Sequence, residues 1–365
     1  MADGAPGVGA PQSISLQGLS KSFGQMTALF PTDLDVRSGE FLTLLGPSGS
    51  GKSTLLNLIA GALAPSSGTI RLDGKDLTNV PPRDRGIGMV FQNYALMPHM
   101  TVFDNVAFPL RVRRQPTHVV REKVAEALAR VGLTGFEKRK PKQLSGGQQQ
   151  RVGIARCIVY SPAIILMDEP LGALDKNLRE QMQGEIKHLH QDLGTTFIYV
   201  THDQEEALNM SDRICLMSVG RIAQLGTPDD LYFRPRSRYV AEFLGESNII
   251  SGRAAGKAKL AIAEDCNIGT QPFDHPKGTE LATMFRPEKL SILTSGEEPG
   301  RGENTLSGSV KEISFFGRST RIHLITDGGF RLIATVASLQ SDARPEIGSR
   351  LRVSWKPEDS VILEQ

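Results

Sequence analysis

Short apolar runs separated by polar, glycine-rich breaks mark the first two thirds of the chain. Residues 41–45 (FLTLL), 163–167 (AIILM) and 196–200 (TFIYV) are almost wholly apolar, as strands buried on both faces of a sheet are. Residues 14–23 alternate and predict a half-buried strand; 68–73 and 86–91 predict two more, with Pro81-Pro82-Arg83-Asp84-Arg85 as a rigid polar loop between them. Helical spacing covers 55–60, stopped by Gly61, then 101–132, where Val119, Val120, Val124, Ala127, Leu128 and Val131 form one stripe. Further helices are expected over 149–160, over 177–192 before Gly194, and over 204–210, followed by a strand pair at 213–217 and 221–226. Beyond residue 245 the pattern changes to short strands and frequent turns, among them 309–313, 321–325 and 351–355, with bends at 314–317 and 326–329. That spacing predicts a small β-barrel.

Three segments follow. Residues 1–13, mostly Gly, Ala and Pro, are expected to be a disordered leader. Residues 14–244 form an α/β domain with a helical part over about 93–160, and 245–365 form the barrel.

The break after residue 45 carries the strongest chemistry. Gly46-Pro47-Ser48-Gly49-Ser50-Gly51-Lys52-Ser53-Thr54 has the GxxxxGK[ST] spacing between a buried strand and a helix. Such a loop curls its N–H groups inward at a helix N-terminus and binds phosphates. Lys52 would reach the β- and γ-phosphates, and the Ser53 hydroxyl would hold Mg²⁺. The chain therefore binds a nucleoside triphosphate. The second apolar run ends in Asp168-Glu169, carboxylates suited to a Mg²⁺ shell and to polarising an attacking water. The third ends before His202, at the strand end where open α/β sheets place ligands. Phe23, an aromatic before Gly24, is either simple packing or a platform for adenine. Ser145, with Gly146 and Gly147, opens a helix, either as a plain N-cap or as a second anion-binding start.

Bulk properties narrow the partners. A net charge of +2 on 365 residues argues against nucleic acid as the main partner. No apolar run approaches the roughly 18 residues that span a bilayer, and no signal pattern opens the chain, so a cytoplasmic location is expected. Cys157, Cys215 and Cys266 form no metal-binding spacing and are expected as small buried hydrophobes. His188 and His190 are expected as solvated surface residues.

Together these residues resemble the ATP-binding subunit of ABC transporters, over nearly the whole chain from residue 14. The resemblance rests on Leu144-Ser145-Gly146-Gly147-Gln148 lying between the phosphate loop and Asp168-Glu169. It implies a phosphate-loop NTPase with a RecA-like core and antiparallel β and helical subdomains, followed by an OB-like barrel. It further implies that Phe23 stacks on adenine and Gly46–Thr54 binds ATP. Gln92 senses Mg²⁺ and water, Asp168 contacts the Mg²⁺ shell, Glu169 is the catalytic carboxylate and His202 contacts the γ-phosphate. Leu144–Gln148 would bind ATP held by a second copy, and Ala173-Leu174-Asp175 would be the inter-subunit loop. The implied assembly is a head-to-tail homodimer on two transmembrane permease subunits at the cytoplasmic face of the membrane, served by an extracytoplasmic solute-binding protein.

The terminal third resembles the regulatory barrel of importer ATPases for polyamines, iron, sulfate, sugars or phosphonates, with Arg286-Pro287-Glu288 as its RPE segment. Residues 90–96 and 243–248 most resemble the spermidine/putrescine group. Two other classes fit less well. A ribosome-acting ABC protein usually carries two cassettes, and a DNA-repair ATPase carries a long coiled-coil insertion. An exporter cassette ordinarily has fused membrane spans or lacks the barrel.

Overall fold

Strands that are apolar at every position need cover on both faces, and the fold supplies it. The computed structural model describes residues 12–172, 174–294, 296–338 and 345–364, and within it the chain divides into two compact units at Pro228/Asp229.

The first unit holds β1 (Ile14–Phe23), β2 (Met26–Val36), β3 (Phe41–Leu45), β4 (Ser67–Leu72), β5 (Lys75–Asp76), β6 (Ile87–Val90), β7 (Ile164–Asp168), β8 (Thr196–Thr201), β9 (Arg213–Ser218) and β10 (Arg221–Gly226). Its helices are α1 (Lys52–Ala60), α2 (Val102–Val112), α3 (Thr117–Arg130), α4 (Gly146–Ile158), α5 (Lys176–Leu193) and α6 (Gln204–Met210). The central sheet runs β10-β9-β3-β8-β7-β6, parallel except for β10. Alternate residues of its strands enter different cores. Phe41, Ile165, Met167, Phe197 and Tyr199 join the core of the helical side, while Leu42, Leu44, Ile164, Leu166, Ile198 and Val200 join that of α1 and the antiparallel sheet β2-β1-β4-β5. This two-sided burial is why those runs read as continuously apolar.

Several expectations are corrected. The helical spacing over 101–132 is two helices, broken before Pro116, where Arg114 takes a left-handed φ of 56° and a proline restricts the residue ahead of it. The Pro81–Arg85 loop is a 3-10 turn, and Arg85 is buried beneath it. Its guanidinium donates to the Leu58 and Ile59 carbonyls at 2.9 and 2.7 Å, satisfying the C-terminal end of α1. His190 is half-buried, its ring edge-on to Phe41 and Phe197, its Nε2 3.0 Å from the Gly39 carbonyl oxygen, and burial lowers its pKa. Cys157 and Cys215 are buried as expected, and burial pushes both thiols up to about 12; Cys266 is only partly covered. Strand β2 went unforeseen because Pro31 and its polar neighbours mask it. It lies at a sheet edge, where proline is tolerated.

Of the expected leader, 1–11 fall outside the described residues. Gln12 and Ser13 are tied down, the first by Thr196 Oγ1 donating to its carbonyl (2.6 Å), the second by its N–H donating to Asp73 (2.7 Å).

The second unit opens with α7 (Pro228–Phe233) and α8 (Arg238–Phe243). Ten strands follow: β11 (Asn248–Gly256), β12 (Lys259–Ala263), β13 (Cys266–Gly269), β14 (Glu280–Phe285), β15 (Ser291–Leu293), β16 (Asn304–Phe315), β17 (Ser319–Thr326), β18 (Arg331–Ala337), β19 (Arg350–Trp355) and β20 (Val361–Leu363). They form two five-stranded antiparallel sheets, β13-β12-β11-β14-β20 and β15-β19-β16-β17-β18, around one core in which Trp355 stacks on Phe285 at 4.4 Å. Arg286, buried at the end of β14, donates to the carbonyls of Tyr232 (2.8 Å) and Ala241 (3.0 Å) and to Ser247 Oγ (2.7 Å). The arginine of the RPE segment thus clamps α7 and α8 to the barrel. The division therefore precedes these helices and replaces the one expected after residue 244.

Candidate functional site

The carboxyl ends of β3, β7 and β8 lie side by side because Leu45 pairs with Thr201 and Asp168 with Val200. The loop after β3 follows a path that only glycine permits at two points. At Gly46 (φ 151°) a Cβ would collide with the Met217 carbonyl oxygen. At Gly51 (φ 100°), the residue before α1, a Cβ would sit 3.0 Å from the Ala28 carbonyl oxygen. Pro47 to Ser50 wrap the Lys52 side chain, whose Nζ donates to the carbonyls of Gly46 (2.7 Å) and Pro47 (2.9 Å). Burial lowers the Lys52 pKa, while the charges of Glu169 and Asp168 pull it back up. Among the described residues no ion pair holds this buried ammonium, and its protons go to loop carbonyls instead.

Ser53, one residue on, places its hydroxyl 3.4 Å from Asp168 Oδ1. The Asp168 carboxyl is pushed up by burial and then by the Glu169 charge, with Ser53 and Lys52 opposing. Glu169 adopts a left-handed φ of 42°, uncommon for a side chain of this kind, and its N–H is fixed by the Val200 carbonyl at 3.0 Å. That turn carries Glu169 Oε2 to 3.2 Å from His202 Nδ1. Gln92 is exposed, with its amide beside Gly172, which in turn abuts the Glu169 carbonyl. Lys52, Ser53, Asp168, Glu169, His202 and Gln92 are therefore gathered at one sheet end.

Phe23 stands half exposed at the tip of the β1–β2 hairpin, opposite Met26, with Lys21 Nζ 5.1 Å from its ring. The same hairpin brings Ala28, on β2, against Gly51, so Phe23 at the end of β1 stands on the hairpin that backs the phosphate loop.

The 144–148 segment is not part of this gathering. Ser145 caps α4, accepting from the Gln148 N–H at 3.3 Å while Gln148 Oε1 accepts from the Ser145 N–H at 3.1 Å, a reciprocal capping box. Gly146 and Gly147 lie against Leu174 and Leu178. Among the described residues, no hydrogen bond joins this segment to residues 46–54. Asp175 caps α5 through the Leu178 N–H (3.0 Å), Leu174 is buried, and Ala173 lies outside the described residues.

Two residues of this region escaped the sequence reading. Arg179 donates to the Leu174 carbonyl (3.0 Å) and pairs with Asp203 (3.3 Å), tying the 172–175 loop to the residue after His202. Glu206, buried, accepts from Tyr199 and Thr201, both at 2.7 Å, and burial raises its pKa. Nothing in their spacing distinguishes them from other charges on helices.

Comparison with known proteins agrees with this geometry. Residues 29–172 match the ABC transporter family and residues 284–363 the TOBE domain. The spermidine/putrescine import ATP-binding protein PotA of Rubrobacter xylanophilus is 43% identical, covering 99% of this chain and 96% of its own length. The protein of the same name from Thermobifida fusca is 44% identical over 98% and 97%. Among solved structures, the ATP-binding cassette MJ0796, a dimer bound to ADP and Pi in a post-hydrolysis state, is 35% identical. It aligns with a TM-score of 0.53 over 59% of this chain and 98% of its own. The cbiO1 protein of Clostridium perfringens, part of the ABC transporter complex cbiONQ, is 30% identical with a TM-score of 0.56 over 60% and 89%. With a phosphate loop, paired carboxylates and capped signature helix in one cassette, and a TOBE barrel after it, the chain belongs to the PotA family of ABC transporter ATP-binding proteins.

Proposed function

We propose that the chain hydrolyses ATP as the peripheral, cytoplasmic-face subunit of a polyamine importer, two copies working head-to-tail on a pair of permease subunits. The observation that carries the chemistry is the meeting of Lys52, Ser53, Asp168, Glu169 and His202 at the ends of three adjacent strands. Lys52 would exchange its two loop carbonyls for phosphate oxygens. Glu169 would accept a proton from a water aligned on the γ-phosphorus, with His202 orienting its carboxylate. His202 is 59% exposed, so its ring is free to reach a phosphate oxygen as well. Gln92, at the same rim, would hold that water's far side. The residues also fit Mg²⁺: a hydroxyl and a carboxylate lie 3.4 Å apart, and burial penalises the charge of that carboxylate until a cation offsets it. When bound, the ion neutralises phosphate charge and leaves Ser53 and Asp168 as its protein-side holders.

The head-to-tail dimer is supported by the dimeric state of the related cassette and by the need to cover the triphosphate's second face. Closure around ATP and reopening after hydrolysis would then move whatever is docked on the helical subdomain. No helix among the described residues is long and apolar enough to cross a membrane, so this subunit would be held there by its permease.

The docking surface follows from exposed apolar groups. Phe91, Phe108 and Val112 are 45%, 42% and 64% exposed, and with Met97 they line a groove of about 300 Å³. Of Tyr94, Leu96, Met97 and Pro98, the residues that follow Gln92, only Met97 lines it. Tyr94 is buried, and Leu96 packs against the helical core. A short permease helix fits such a groove. Phe108→Glu should leave ATP affinity within about twofold yet lower transport more than tenfold, because a charge in an apolar contact goes unpaired. Transport at the wild-type rate would place the contact elsewhere.

The solute reading rests on the relatives named for spermidine and putrescine import. Ferric iron, sulfate, sugars and phosphonates are the alternatives raised by the barrel. Uptake of labelled putrescine and spermidine, in cells stripped of other polyamine importers, should vanish on deletion of this gene. Unchanged uptake would reject the polyamine assignment and leave the ATPase reading intact.

A further inference from the structure

The loop that carries Gln92 is held in a conformation its own residues disfavour. Tyr94 and Ala95 both have left-handed backbones, with φ of 56° and 45°, and neither is glycine. Side chains with a Cβ avoid that region, so two in succession require an outside restraint. The restraint comes from α4. Arg156 donates from Nη1 to the Ala95 carbonyl and from Nη2 to the Tyr94 carbonyl, both at 2.6 Å, a two-pronged grip that the planar guanidinium is shaped to make. One turn earlier on the same helix, a Cβ added at Gly153 would lie 3.7–3.9 Å from the Tyr94 carbonyl oxygen, Cβ and Cα, so the helix packs closely on this residue. The Tyr94 hydroxyl is buried without a hydrogen-bond partner, so the ring's polar end does not hold the loop.

Arg156 thus stands at a junction. Its helix begins at the Ser145 cap and ends at this grip; Gln92 is two residues before Tyr94, and Arg156 itself lines the groove with Phe91 and Met97. We infer that Arg156 is a positioning residue for Gln92: its grip on Tyr94 and Ala95 keeps the glutamine loop cocked at the nucleotide rim and makes that loop move with the signature helix. The inference rests on the role proposed above for Gln92. Without the grip, Tyr94 and Ala95 would relax to negative φ and Gln92 would leave its place beside Gly172.

The test is a set of variants of the full chain assayed with its permease for ATP hydrolysis, nucleotide affinity and melting temperature. Arg156→Ala should lower kcat about tenfold, the factor by which a side-chain-bearing residue disfavours this conformation, with KM for ATP within twofold because the phosphate loop is untouched. Arg156→Lys, which cannot span both carbonyls, should fall between. Ala95→Gly has little effect alone, but combined with Arg156→Ala it should restore kcat to within about threefold of wild type, since glycine adopts positive φ freely. Gln92→Ala with Arg156→Ala should be no slower than Gln92→Ala alone, because both act through one group. An unchanged kcat in Arg156→Ala, additive losses with Gln92→Ala, or a loss that tracks melting temperature and that Ala95→Gly does not repair would each overturn the inference. A normal rate in Gln92→Ala would overturn it together with the role given to Gln92. A slow Gln92→Ala beside a normal Arg156→Ala would overturn this inference alone.

Discussion

Glu169→Gln should bind ATP as the wild type does and turn it over 10²–10⁴-fold more slowly, the usual loss when a positioned general base is removed. The substitution keeps size and shape, so the left-handed turn at 169 and its N–H bond to Val200 survive. The amide oxygen can still accept from His202 Nδ1, which lies 3.2 Å from the carboxylate it replaces. What disappears is basicity: an amide cannot take a proton from water. Phosphate release by the assembled transporter, beside a nucleotide-binding titration, separates the two effects. Because the site would then hold ATP without consuming it, the variant should also accumulate as a dimer in ATP and Mg²⁺. Hydrolysis at the wild-type rate would remove Glu169 from the role of base.

Lys52→Ala should act one step earlier, on affinity. The ammonium is buried and donates to loop carbonyls, places that phosphate oxygens would take when ATP binds. Charge-assisted hydrogen bonds of this kind contribute about 1.5–3 kcal/mol, so ATP affinity should drop roughly 10- to 150-fold. Mixing this variant with a Ser145→Arg chain then asks where the second half of each site comes from. In a head-to-tail pair the two lesions fall in the same site, leaving the other intact, and the mixed dimer should keep about half the wild-type activity by this symmetry argument. If signatures acted within their own chain, both sites would be damaged and activity lost. The capping box around Ser145 is local, so the arginine is read as a block at the helix start.

What could be read from the sequence was whatever is written contiguously. A buried strand, a glycine loop and a helix start must follow one another for a phosphate to be cradled, so residues 41–60 declare both structure and chemistry in order. Strands β3, β7 and β8 were legible for a related reason: they feed apolar side chains into cores on both faces, leaving almost no polar position in the run. Their ends then pointed to Asp168, Glu169 and His202 as a matter of counting.

Tertiary structure decided the meetings. That Glu169 finds His202, 33 residues away, depends on the parallel register of Asp168 with Val200, and register is a property of the assembled sheet. That the start of α4 makes no hydrogen bond to its own phosphate loop among the described residues is likewise a matter of packing, since on sequence alone two anion-binding starts in one chain could have shared a ligand. Least legible were the arginines. Arg83 is exposed, while Arg85, two residues on, is buried under α1; Arg156 and Arg286 each grip backbone carbonyls far from them in sequence. A guanidinium goes wherever a helix end or a strained turn leaves carbonyls unpaired, and only the folded chain determines where those carbonyls are.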